Sequence, residues 1–234
     1  MKFGVRKEIR HACTAIILLI TIAVDYTSEK REIPPMLRTI LNLDKLLTQS
    51  FVKYVEYIMP MKRLKVHHTA LEVSCHGIVW LASLLALIWI LNNARLFQMQ
   101  VNLIIALTLD IIIIGVLKAF TRRRRPAEDL RTFGPDKYSF PSGHVSRAML
   151  IFYFFKYLWP ISDIYVTLLL LWVATLFFSR VLMRKHYLLD VTAGLFIGYA
   201  EGLFMSLIYL DAKTCASFVS WITDEKMEGA EYDV

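Results

Sequence analysis

The sequence predicts an all-α, polytopic membrane bundle of about six transmembrane helices. Two observations carry this. Hydrophobic residues make up 56% of the 234-residue chain, with a mean hydropathy of +0.49, against ~45–50% apolar residues in soluble domains. Several apolar runs also approach the ~20 residues that carry a helix across ~30 Å of hydrocarbon.

The first such run, Ala12 to Val24, follows a basic start with Lys2, Arg6, Lys7 and Arg10. It is short, and no small-residue cleavage site follows, so an uncleaved first span or anchor is expected. Pro34, Pro35 and Pro60 punctuate the next stretch. Within it, Leu41 to Ile58 has helical apolar spacing with Asp44, Lys45, Lys53 and Glu56 interspersed, the pattern of an interfacial amphipathic helix. Spans are then expected over Leu71–Leu91, Val101–Phe120, Ser146–Trp159, Ile164–Phe178 and Val191–Leu210. The acidic residues after Asp211 read as a solvated tail. Three regions result: 1–70, first span and interfacial segment; 71–210, a helical core; 211–234, the tail.

The net charge of +7 does not indicate nucleic acid, because the cations flank apolar runs and crowd at Arg122 to Arg125. Headgroups of the bilayer and phosphorylated substrates are the expected partners. Cys13, Cys75 and Cys215 have neither disulfide nor zinc spacing, and are expected to be buried and inert.

Three polar blocks stand at the ends of apolar runs. In the first, Lys118 and Arg125 lie seven residues apart, close to two turns, so a continuing helix puts both cations on one face before Pro126. Arg122, Arg123 and Arg124 read as a basic collar at the membrane boundary. The second block, Pro141-Ser142-Gly143-His144, opens a helix, where free N–H groups favour phosphate. Ser142 can cap that helix or donate to a phosphate oxygen, and Gly143 admits close backbone approach. His144 is placed to act as a general acid. In the third block Ser179 and Arg180 end a helix, and His186 and Asp190 are four apart. On a helical face, Asp190 would fix the tautomer of His186 and free its other nitrogen as a nucleophile.

These blocks resemble, at every fixed position, the type 2 phosphatidic acid phosphatase (PAP2) superfamily, whose pattern is K-x6-RP, PSGH and SR-x5-H-x3-D. The resemblance runs from about Leu71 to Leu210 and implies a PAP2/haloperoxidase-like core. It implies that His186 attacks phosphorus to give a phosphohistidine, with Asp190 orienting it. His144 would protonate the leaving oxygen and then activate water. Lys118, Arg125, Arg180, Ser142 and the Gly143 amide would hold the phosphate oxygens. Arg122 to Pro126 and Asp136 to His144 are similar to the polyisoprenoid or presqualene diphosphate phosphatases, which implies isoprenoid diphosphate substrates and an endoplasmic reticulum or nuclear envelope location. Phosphatidate, lysophosphatidate or sphingosine phosphate are the alternative substrates, and a silent lipid-binding scaffold is a further one. A soluble haloperoxidase does not fit so apolar a chain.

No cofactor and no metal are expected, since Glu128, Asp129 and Asp136 read as solvated loop residues. Asp110 and Glu201 fall midway along apolar spans, where ionisable groups are costly; hydrogen bonding inside the bundle is the expectation. Glu72, His67, His68 and His76 lie near the second span without telling spacing. Six spans put the site in the lumen, whereas the eight Lys or Arg between Thr27 and Ala70 against four before His11 favour the cytosol. Homo-oligomerisation is left open.

Overall fold

The computed structural model describes residues 35–58, 61–127 and 137–223, without the side chains of 37 and 61–66. The expected first span Ala12–Val24, the loop acids Glu128, Asp129 and Asp136, and most of the acidic tail lie outside these residues. The described residues form helices α1 (Pro35–Ile58), α2 (Met61–Ser74), α3 (Gly77–Leu91), α4 (Ala94–Thr121), α5 (Gly143–Tyr153), α6 (Asp163–Leu182), α7 (Leu188–Ile208) and α8 (Ala212–Thr223).

Among them α4, α6 and α7 are long and apolar enough to cross a membrane, and the bent pair formed by α2 and α3 makes up to four spans. The chain is an integral membrane protein by these helices. The expected continuous span Leu71–Leu91 is instead broken, with a 55° bend between His67–Ser74 and Gly77–Leu91. The break has a cause. The Arg147 guanidinium occupies the corner, donating to the Cys75 carbonyl at 3.0 Å, and a Cβ on Gly77 would stand 2.9 Å from Arg147 Cζ. The expected span Ser146–Trp159 is α5 with a π-helical turn, Phe154–Leu158, at its end.

Helix α5 is the central element, packed most extensively on α7 and next on α6, with α4 also against it. The α5–α7 approach is close because Gly194 and Gly198 lie on one face of α7. A Cβ at Gly198 would run into the Ser146 carbonyl oxygen, and one at Gly194 would sit 2.7 Å from that of Ser142. Small residues at such spacing let membrane helices meet backbone to backbone.

The region expected to be a solvated tail begins with α8, whose buried Cys215, Ala216 and Val219 pack on Ile88, Phe97 and Val101. The i, i+1, i+4 apolar spacing within the tail is the signal for this. Helix α1 is longer than the expected Leu41–Ile58 and has two functional faces. Leu41, Asp44, Thr48 and Val52 are buried against the bundle, while Met36, Leu43, Leu47, Tyr54 and Ile58 form an exposed apolar stripe. Its contacts are with α6 and α7.

Candidate active site

Helix α4 stops at Thr121, because Arg122 takes the left-handed conformation (φ 50°) and its N–H closes on the Lys118 carbonyl. The expected continuous helix to Arg125 therefore does not form. Instead the Thr121 hydroxyl donates to the Phe140 carbonyl at 2.9 Å, and the Ser139 N–H donates to the Arg123 carbonyl at 2.8 Å. An isolated antiparallel bridge joins Arg124 to Tyr138. These ties bring the first two blocks side by side, and Arg125 reaches the site from extended backbone.

Helix α5 starts at Gly143 with Ser142 as its N-cap, and the Ser142 N–H donates to the Asp190 carbonyl at 3.1 Å. At the end of α6 the chain turns through Arg184 (φ 55°), and the N–H groups of Lys185 and His186 both reach the Arg180 carbonyl. That turn delivers His186 back toward Arg180.

All three blocks open onto one cavity of about 340 Å³, lined by Lys118, Arg125, Gly143, His144, Arg180 and His186. The two imidazoles thus share one chamber. Ile111, Ile114, Gly115 and Lys118 are one face of α4 along its wall, and seven residues of helix make that face roughly 10 Å deep. Ile78 adds apolar surface, and Glu72, His76, Arg147 and Lys185 complete the lining. The buried Ser142 hydroxyl and His144 Nε2 have no partner among the described residues.

Asp190 departs from its expected role. His186 lies outside α7, so the helical i, i+4 pairing is not made: Asp190 Oδ2 stands 3.9 Å from His186 Nδ1. Asp190 instead turns back to accept the Tyr187 N–H at 2.8 Å. Its other oxygen pairs with Arg123 Nη1 at 2.5 Å. What holds the His186 ring is the Ser139 carbonyl, 2.6 Å from Nδ1. A carbonyl only accepts, so Nδ1 carries the hydrogen and Nε2 holds the free lone pair.

Burial lowers the His186 pKa well below the ordinary imidazole value, and the Arg125, Lys118 and Arg180 charges lower it further. The sign follows directly: a depressed pKa keeps the ring neutral at pH 7, with protonation deferred to more acidic solution. The acid limb of a pH–rate profile for any step that uses the free lone pair of this ring is therefore expected below about pH 6.5. A limb above that value would contradict the burial and charge environment.

Arg123 is the second departure. It is no collar residue but 0% exposed, bridging Asp44 at 2.6 Å and Asp190, with its guanidinium 4.3 Å from the Tyr187 ring centre. Arg122 and Arg124 are exposed as expected of a collar. Sequence reasoning missed this pairing because Asp44 is 79 residues away.

Three more groups were missed or undervalued. Glu72 accepts from Lys185 Nζ at 2.7 and 2.9 Å and pairs with Arg180 at 3.3 Å. Arg147, itself part of the cavity lining, pairs with Asp110 at 2.7 Å, and Ser146 donates to Glu201 at 3.4 Å. Asp110 and Glu201 are thus hydrogen-bonded or paired inside the bundle, as expected. The readable signal for Arg147 was its place within an apolar run, opposite in sign to the two carboxylates. His68 Nδ1 meets the Ser179 hydroxyl at 2.8 Å, so Ser179 ties α6 to α2.

Comparisons with known proteins bear on this geometry. An Arabidopsis thaliana protein described as "Probable lipid phosphate phosphatase beta" is 32% identical over 133 residues, covering 44% of this chain. The chain spans 62% of that relative's length. No solved structure matches the chain. The family model described as PAP2 superfamily matches residues 99–213, the stretch holding Lys118, Arg125, Ser142 to His144, Arg180, His186 and Asp190. From within α4 to the start of α8, this chain is similar to the PAP2 superfamily.

Proposed function

We propose that the chain is a lipid phosphate or diphosphate phosphohydrolase that works through a phosphohistidine and needs no metal. The observation that carries this is the single cavity shared by His144, His186 and the cations Lys118, Arg125 and Arg180.

In this reading Nε2 of His186 attacks phosphorus while the bond from phosphorus to the lipid oxygen breaks. His144 supplies a proton to that departing oxygen, then takes one from the water that attacks the phosphohistidine. Phosphate leaves and His186 is restored. The Ser139 carbonyl keeps the Nδ1 hydrogen in place, and Asp190, 3.9 Å away, favours the positive charge that develops on the ring. Lys118, Arg125, Arg180 and the Gly143 amide hold the phosphoryl oxygens, and Ser142 adds its hydroxyl. Fixed charges of this kind are usually the largest contribution to such transfers. Ile78, Ile111 and Ile114 offer the apolar wall that the first carbons of a lipid chain require.

Isoprenoid diphosphates are the substrates we favour, because Lys185 and Arg147, each paired with a carboxylate, line the cavity beyond the three motif cations and add positive charge beside a second phosphate. Residence in the endoplasmic reticulum or nuclear envelope accompanies that choice, and a fluorescent fusion tests it. A monophosphate such as phosphatidate is the second reading, favoured by the description of the Arabidopsis relative. Purified protein, in excess chelator, is expected to release phosphate from farnesyl diphosphate faster than from phosphatidate. The reverse order selects the monophosphate reading. Release from neither removes the proposed activity.

A further inference from the structure

We propose that Asp44 and Arg123 are positioning residues for His186, so that α1, which precedes the matched domain, completes the site. This rests on the reading of His186 as nucleophile.

The contacts form a closed circuit around the ring. Arg123 uses its main chain and its side chain on the same target. Its carbonyl holds the Ser139 N–H at 2.8 Å, and the Ser139 carbonyl holds His186 Nδ1 at 2.6 Å. Its guanidinium holds Asp190 at 2.5 Å on one arm and Asp44 at 2.6 Å on the other. Asp190 in turn accepts the N–H of Tyr187, the residue that follows His186. Asp44 accepts the N–H of Leu189 at 3.0 Å through its second oxygen. The imidazole is thus gripped from the Ser139 side and from the 187–190 side, and Arg123 joins the two grips.

Asp44 decides the geometry of that joint. With it, the two arms of a planar guanidinium are pulled toward fixed points on α1 and α7, which leaves one orientation. Without it, Arg123 has one carboxylate and can swing about the Asp190 contact. Packing alone gives no reason for the arrangement. A buried arginine between two carboxylates is commonly no more stable than apolar residues of equal volume, so specification of shape is the function that such a triad serves best. Thr48 makes a useful contrast. It lies one turn along α1 and accepts the Leu188 N–H at 3.1 Å, with no hydrogen bond to Arg123 or Asp190 among the described residues, so it docks the helix without holding the guanidinium.

The test compares Asp44→Asn with Thr48→Ala in the full-length protein, in detergent or nanodiscs. Asn keeps the shape and an acceptor for Leu189 but removes the charge from Arg123. Asp44→Asn is expected to lower kcat about 10–100-fold, the usual effect of losing a group that orients a ligand or base, with KM within about twofold. Thr48→Ala should keep kcat within about twofold. Equal losses in both variants, or an unchanged kcat in Asp44→Asn, overturn the proposal. Should Asp44→Asn fail to fold, Asp44→Glu, which keeps the charge but shifts it by one methylene, is read by the same kcat-against-KM split.

Selective ¹⁵N-histidine spectra supply a readout that does not need turnover. Wild-type His186 is expected as the Nδ1–H tautomer, and Asp44→Asn as a mixture. If the wild type releases no phosphate from any lipid tested, the phosphatase reading fails on its own. An unaltered His186 signal in Asp44→Asn then overturns positioning independently.

Discussion

His186→Ala is expected to reduce turnover by ~10⁴-fold or more, the scale seen when a nucleophile that acts as part of a unit is removed. The loss should fall on kcat, with binding of lipid phosphate retained, because Lys118, Arg125 and Arg180 stay in the cavity. Folding should survive. The imidazole side chain is 4% exposed, yet it makes one hydrogen bond, to Ser139, whose net worth is about 1 kcal/mol. Turnover and the thermal midpoint of the purified variant are measured together. A well-folded variant that keeps its rate eliminates the phosphohistidine route.

Arg147→Leu is expected to produce the largest loss of stability. Arg147 is 7% exposed and its partner Asp110 is 0% exposed, and the guanidinium also satisfies the Cys75 carbonyl at the corner between α2 and α3. Its removal leaves Asp110 and Glu201 facing each other without a cation. Breaking one side of a buried pair costs about 3–5 kcal/mol. Denaturant unfolding in mixed micelles reads this as a lower midpoint. The double variant Arg147→Leu with Asp110→Asn should recover part of it, since the stranded charge is then gone. An unshifted midpoint in the single variant would mean that water reaches the pair.

The fold class was legible because hydropathy is a property of runs, and α4, α6 and α7 are long runs. What escaped were places where a distant residue overrides the local pattern. Nothing near Leu71 announces the corner at Ser74 to Gly77, since its cause is Arg147. The i, i+1, i+4 apolar spacing of α8 is short beside the acidic composition after it, so the tail hid a packed helix. The site shows the same division. Motif residues separated by tens of positions were found because each block has its own chemistry; Lys118, Arg125, Gly143, His144, Arg180 and His186 line one cavity, whereas Ser142 and Asp190 are buried behind it. The orientation of His186 was not found, because a main-chain carbonyl carries no sequence signature. Asp190 looked like the orienting group from its spacing, whereas the structure spends its oxygens on the Tyr187 amide and Arg123. Asp44 looked like one of the solvated charges of an interfacial helix, and only its place on the inward face of α1 says otherwise.

The triad of Asp110, Arg147 and Glu201 has a bearing on how the polypeptide enters its bilayer. Each belongs to a different helix: α4, α5 and α7. An aspartate or arginine at mid-depth of an isolated segment opposes insertion by about 2.5–3.5 kcal/mol. Helix α4 therefore gains when α5 brings its cation to Asp110, and α7 gains from a neighbourhood in which Ser146 meets Glu201. Insertion is in this sense collective: the strongly apolar run of α4, mean hydropathy 2.5, carries Asp110 into the lipid at a cost that the cation of α5 then offsets.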